Sequence, residues 1–146
     1  MVGNRRIAKR VVFTDGVFDM LHANHVCFLE EAKSLGDWLV VGVVSDSRAQ
    51  EYKRRPVLSQ EERLRVVEAL SCVDEAFIIH EALISETMKR IIAAYHVSAV
   101  VYAGDSTPEF YIPAEMSGIM HRLPYRAGVS SSEIIKRIVG RKNLDD

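Results

Sequence analysis

At 146 residues, 48% hydrophobic, with 19 Lys+Arg against 20 Asp+Glu, the chain has the size and apolar content of one compact domain over residues 1–146. A formal charge of -1 gives no global basic field for a nucleic-acid backbone, and no apolar run reaches membrane-spanning length. The opening MVGNRRIAKR is too short and polar for a signal peptide, and Cys27 and Cys72 sit in helical patterns where a thiol acts as a small apolar group, so an intracellular, cytoplasmic protein without nucleic-acid or membrane partners is expected.

In chain order, RVVFT (10–14) reads as a buried strand, and HVCFLEEAKSLG follows with helical spacing and Gly36 as its stop. WLVVGVVS (38–45) is the second strand. Ser59 and Glu62 form a capping box ahead of RLRVVEAL, and EAFIIH (75–80) is the third strand. Ser85 opens the helix ETMKRIIAAYH, and SAVVYA (98–103) is the fourth strand. GDSTPEFYIPAEMSG (104–118) reads as a mobile loop with one helical turn, MHRLP (120–124) as the fifth strand, and Ser130 with Glu133 as a second capping box before IIKRIV.

Val-rich strands separated by helices predict an α/β fold, a doubly wound, Rossmann-like five-stranded parallel sheet with helices on both faces. In such sheets ligands bind beyond the carboxyl ends of the strands. Thr14, Asp15 and Gly16 follow the first strand, Ser45 and Asp46 the second, Gly104 and Asp105 the fourth, and Tyr125 to Ser132 the fifth, which places every unusual cluster on one rim.

Within FTDGVFDMLHANH, His22 falls at the start of the first helix and His25 in its first turn, beside free backbone N–H groups that favour an anion. Two imidazoles on one face add donors that can follow charge onto phosphate oxygens, which suits phosphoryl or nucleotidyl transfer. Taken alone, the pair is also what an ordinary turn and first helical turn contain.

The wider stretch DGVFDMLHANHVCFLEEAKSLGDWLVVGVVSD closely resembles the first strand, histidine motif, helix and second strand of the cytidylyltransferase-like nucleotidyltransferases. That superfamily includes glycerol-3-phosphate, phosphocholine and phosphoethanolamine cytidylyltransferases, ADP-heptose synthase and archaeal FMN adenylyltransferase. YKRRPVLSQEER, CVDE (72–75), YAGD (102–105) and GVSSSEII (128–135) resemble further family segments in the same order.

The resemblance implies a nucleotidyltransferase moving CMP from CTP onto a small phosphate-bearing alcohol, with pyrophosphate released and Mg2+ as cofactor. The alternatives are adenylyl transfer from ATP to a sugar phosphate or FMN, and a catalytically inactive nucleotide-binding module. It implies His22 and His25 at the α-phosphate, and Lys53 neutralising triphosphate charge. Ser130, Ser131 and Ser132 would hold the β- and γ-phosphates, and Thr14, Asp15, Gly16, Val17 and Phe18 would line the nucleotide cleft. Gly104, Asp105, Arg126 and Gly128 complete the implied nucleotide contacts, and relatives of this size imply a homodimer. Read as residues alone, Lys53 to Arg55 also fit a solvated charge run, the serines a helix cap and Asp105 a turn.

Two positions depart from the family pattern. Asn24 stands where the motif has glycine, which sets up either an obstruction beside the nucleotide or a base contact through its amide. In LPYRAGVSS, Tyr125 takes the place of a family arginine and Arg126 follows it. The acceptor pocket is expected to draw on Thr107 to Gly118, the side chains after the second strand and His80, with Phe110, Tyr111 and Tyr125 as aromatic candidates for closing over it.

Overall fold

A computed structural model describes residues 10–124 and 126–141. Tyr125 lies outside them, as does most of the MVGNRRIAKR segment. The strands are β1 (Val11–Gly16), β2 (Trp38–Val44), β3 (Glu75–Ile79), β4 (Val97–Ala103) and β5 (Met120–Leu123). The helices are α1 (Ala23–Ser34), α2 (Asp46–Tyr52), α3 (Gln60–Glu68), α4 (Ser85–Tyr95), α5 (Ile112–Met116) and α6 (Ser131–Val139), with one 3-10 turn at Glu109–Tyr111.

The strands form one sheet in the order β3-β2-β1-β4-β5, and each neighbouring pair is parallel. Parallel neighbours need crossovers, and the crossovers deliver helices to both faces. Alternation along β1 divides the core. Val11 and Phe13 face Met88 and Ile91 of α4 and Ala114 of α5, while Val12 faces Leu29 and Ala32 of α1 and Val67 of α3. Burying each such Phe or Leu contributes about 1.5–3 kcal/mol.

The predicted strands fall where the structure has them, and of the two predicted capping boxes Ser59 and Glu62 are bonded reciprocally, whereas Ser130 only accepts from the Glu133 N–H and no bond returns from the Glu133 side chain. Three segments differ. DSRAQEY forms the helix α2 behind a Ser45 cap, although only Ala49 in it is buried. Cys72 lies in the turn before β3 instead of in a helix. The segment 104–118 is anchored, since Phe110 is 2% and Tyr111 6% exposed, and both belong to the core beneath β1 and β4.

β1 and β4 are the strands at which the sheet order reverses, and their pairing runs only to Phe13 and Val100. Beyond it, the Thr14 hydroxyl donates to the Val101 carbonyl at 2.9 Å. The carboxyl end of β1 therefore opens into the crevice where doubly wound sheets bind ligands.

Candidate active site

Two buried charges hold the ground under this crevice. The Asp19 carboxylate accepts from the backbone N–H groups of Val57 at 2.8 Å and Leu58 at 3.0 Å, fastening the β1–α1 loop to the segment before α3. Phe18 and Met20, on either side of it, have φ of 54° and 50°, a left-handed backbone that costs non-glycine residues about 1 kcal/mol or more and persists where the surroundings over-determine it. Arg63, 1% exposed, donates from Nη1 to the carbonyls of Val17 at 2.7 Å and Val44 at 2.8 Å. Its Nε reaches the Leu58 carbonyl at 3.1 Å and its Nη2 the Asp46 carboxylate at 2.7 Å. A buried guanidinium is tolerated only when its donors are satisfied, and here they tie the loop after β1, the end of β2 and the α3 entry together.

On this footing α1 begins with His22 as its N-cap and His25 as its third residue. The imidazoles stack at 3.7 Å between centroids and 20° between planes, with the Phe18 ring edge-on to His25 at 5.4 Å. The His22 backbone N–H donates to His25 Nδ1 at 3.3 Å, so a neutral His25 carries its proton on Nε2 and presents it as a donor. Burial, aided by His22 and Lys53 and opposed by Asp19, lowers the His25 pKa to about 4, and burial lowers that of His22 too. Both rings are thus neutral donors at neutral pH. His22 Nδ1 is buried without a hydrogen-bond partner.

Lys53 caps the end of α2 and stays exposed, while the protein mass beneath its ammonium lowers its pKa, with Asp15 acting in the opposite direction. Burial pushes the Asp15 carboxyl up to about 7 against the pull of Lys53, and its Oδ1 is buried without a partner. Arg54 Nη1 donates to the Ser132 hydroxyl at 3.1 Å, which brings the basic segment to the start of α6. There Ser130 caps the helix by accepting from the Glu133 N–H at 3.1 Å, and Ser131 donates to the Asp19 carbonyl at 2.7 Å.

Other sequence-predicted residues are engaged elsewhere. Asn24 Nδ2 donates to the Val129 carbonyl at 2.7 Å and approaches the Ala127 carbonyl at 3.4 Å, so its donor is held by protein. Arg126 pairs with Glu31, far along α1 from the histidines, because the turn before α6 directs it there. Gly104, with φ of 141°, gives its carbonyl to Arg122 Nη1 at 3.0 Å, and Asp105 is exposed. Arg122 also donates to the Ser106 carbonyl at 2.8 Å and Glu115 at 3.3 Å, which fixes the loop after β4. Phe110 and Tyr111 are core residues and do not close over a substrate, and His80 is exposed with its carbonyl bonded to Arg48 Nε at 3.0 Å.

Sequence reasoning passed over Asp19 and Arg63. Arg63 had a signal: it lies one helical turn before Val67 on the buried stripe of α3, where a charge needs a partner. Asp19 sits inside the histidine motif itself, but its partners at Val57 and Leu58 are distant in the chain.

By its sheet order and the rim assembled at the end of β1, the chain is a Rossmann-like α/β protein. The profile of the family described as cytidylyltransferase-like matches residues 13–137, and the chain belongs to that family. The bifunctional protein HldE of Pelobacter propionicus is 37% identical over 139 residues, covering 91% of this chain and 28% of that protein. Its namesake from Syntrophotalea carbinolica is 36% identical over 143 residues, covering 94% and 28%. The chain therefore spans under a third of the length of these relatives. The lipopolysaccharide core biosynthesis protein of Thermoplasma volcanium superposes with a TM-score of 0.64 at 27% identity, covering 83% of this chain and 98% of that one. Pantothenate synthetase from Thermus thermophilus shares the fold, with a TM-score of 0.56 at 15% identity over 91% of this chain and 64% of its own. Among the described residues no helix is long and apolar enough to cross a membrane.

Proposed function

We propose that this chain transfers an adenylyl group from ATP to a sugar phosphate. An acceptor phosphate oxygen forms a bond to the α-phosphorus, the α–β bridging bond breaks, and pyrophosphate leaves with the bonding electron pair. The observation that carries this reading is the shared rim: two neutral imidazoles at the start of α1, with Arg54 bridging to the serines of α6. His25 Nε2–H, with His22 beside it, donates to the oxygens on which charge develops, and Lys53 and Arg54 neutralise the triphosphate. The α6 N–H groups receive the leaving phosphates. ATP and a sugar phosphate are preferred to CTP and an alcohol phosphate because the relatives are HldE proteins and one fold neighbour serves lipopolysaccharide core biosynthesis. Core oligosaccharides are built from activated sugars, and nucleotidyl transfer to a sugar phosphate is how a sugar is activated.

Mg2+ fits this site as an ion arriving with the triphosphate. Among the described residues no three His, Cys, Asp or Glu converge to cage a metal, and Mg2+ commonly binds through substrate phosphates plus one or two carboxylates. Asp15, with its unpartnered oxygen at the rim, is the carboxylate that would complete its shell, and the ion would offset triphosphate charge.

Pyrophosphate release from ATP, CTP, GTP and UTP, each paired with sugar phosphates, FMN, glycerol phosphate and phosphocholine, tests the reading. Turnover confined to ATP with a sugar phosphate is expected. Turnover with CTP and an alcohol phosphate restores the other assignment, and triphosphate binding without turnover by any pair identifies a binding module.

A further inference from the structure

The start of α6 is tied down by three side chains from three segments: Ser131 to Asp19, Arg54 to Ser132, and Asn24 to Val129. The third tie differs in kind, because it crosses from the histidine helix to the turn that feeds the serines. Apart from the Arg126–Glu31 ion pair, which is partly exposed and of the kind worth little, that turn has few other ties to hold it. Arg126, Ala127 and Gly128 are exposed, Gly128 has φ of 108°, and a Cβ built on it would meet no atom within 4 Å. The motif glycine that Asn24 replaces has no side-chain donor with which to make such a bond.

From this geometry we infer that Asn24 is a positioning residue, whose side-chain amide sets the turn from Ala127 to Ser130 before the triphosphate arrives. The serines and N–H groups of α6 then stand ready to receive the β- and γ-phosphates, and binding orders less chain. Only the identity of the ligand rests on the function proposed above; the hold on the turn does not. Asn24 is the second residue of α1, where a negative charge favours the helix dipole. Asn24→Asp therefore removes the donor while keeping the shape and without weakening α1.

Hydrogen exchange of the backbone amides from Gly128 to Ser132 in the ligand-free protein, with Kd for ATP and CTP and steady-state kinetics, tests this. In both Asn24→Gly and Asn24→Asp the amides should exchange faster, and Kd and KM for the triphosphate should rise about three- to tenfold, the usual range for one lost hydrogen bond. The saturated kcat should stay within about twofold, since the tie is made before the transition state. Unchanged exchange in Asn24→Asp overturns the inference, as does tighter nucleotide binding by Asn24→Gly, which would make the side chain an obstruction. If the wild-type protein binds no triphosphate, the proposed function fails, and the exchange rates still decide whether Asn24 holds the turn.

Discussion

The two helix starts that face each other on the rim are held in different ways. The α1 start is fixed by near neighbours in the chain, since His22 bonds to His25 and Phe18 packs edge-on, and the loop beneath is seated in the core by Asp19 and Arg63 through buried bonds to more distant segments. The α6 start is fixed by single bonds from residues far away in sequence, at Asp19, Asn24 and Arg54. One wall is built in with the core, and the other is hung on it. Groups that must be aligned to within a fraction of an ångström belong on the first wall, and groups that grip a flexible polyphosphate are served by the second.

Breaking the built-in wall at its tip should have the largest effect. His22→Ala and His25→Ala should each lower kcat by about a hundred- to a thousandfold, because a lost donor to developing charge costs on that scale. KM for the triphosphate should move by only a few-fold, as steady-state kinetics will show; a variant keeping more than about a third of activity removes that histidine from the chemistry.

Undermining the same wall comes next. Arg63→Met leaves the carbonyls of Val17, Val44 and Leu58 without their donor, and urea denaturation should register a loss of about 3 kcal/mol. An unchanged midpoint would mean that water replaces the guanidinium and that the footing is dispensable.

Acid should loosen the built-in wall before the hung one. A folded His25 pKa of about 4 lies below the ordinary value near 6.5, so the unfolded chain binds the proton more readily. Stability from this group is complete above about pH 6.5 and is lost as pH falls toward 4, on the order of 2 kcal/mol after allowance for solvent screening. Urea midpoints between pH 7.5 and 4.5 should therefore fall more steeply for the wild type than for His25→Gln, and parallel slopes would contradict the assignment.

The hung wall should yield the smallest changes. Lys53→Ala should raise KM for the triphosphate about tenfold, since the lysine meets charge present before reaction, and Arg54→Ala about threefold, since Ser132 keeps its place in α6 without it. Equal and large kcat losses in both would erase the distinction between the walls.

The sequence made the built-in elements easy to read. Val-rich strands report burial on both faces of a parallel sheet, and the Ser59–Glu62 box is a local signal that the structure reproduces. The histidine pair was equally local. What escaped was decided at a distance. Arg63 looks like any helix arginine until its acceptors just after β1 and on β2 are brought to it, and Arg126 finds Glu31 only because the last turn runs beside α1. In the sequence the amide of Asn24 reads as an obstruction or a base contact, because its carbonyl partners lie across the crevice, over a hundred residues along the chain. α2 had no apolar stripe to announce it, and Pro108, Pro113 and Gly118 made a buried segment read as a loop.

The sheet order also governs how the chain reaches this state. β1 lies in the middle, with Val11 beside Trp38 on one side and Val97 on the other. During synthesis β2 and β3 appear early, yet the opposite edge of β1 stays bare until β4 emerges, leaving an apolar strand open to pairing with other chains. Fragments ending before Val97 are therefore expected to aggregate. The crevice beside the histidines comes into being only when β4 docks, so the emerging chain has no binding cleft until that strand has been made.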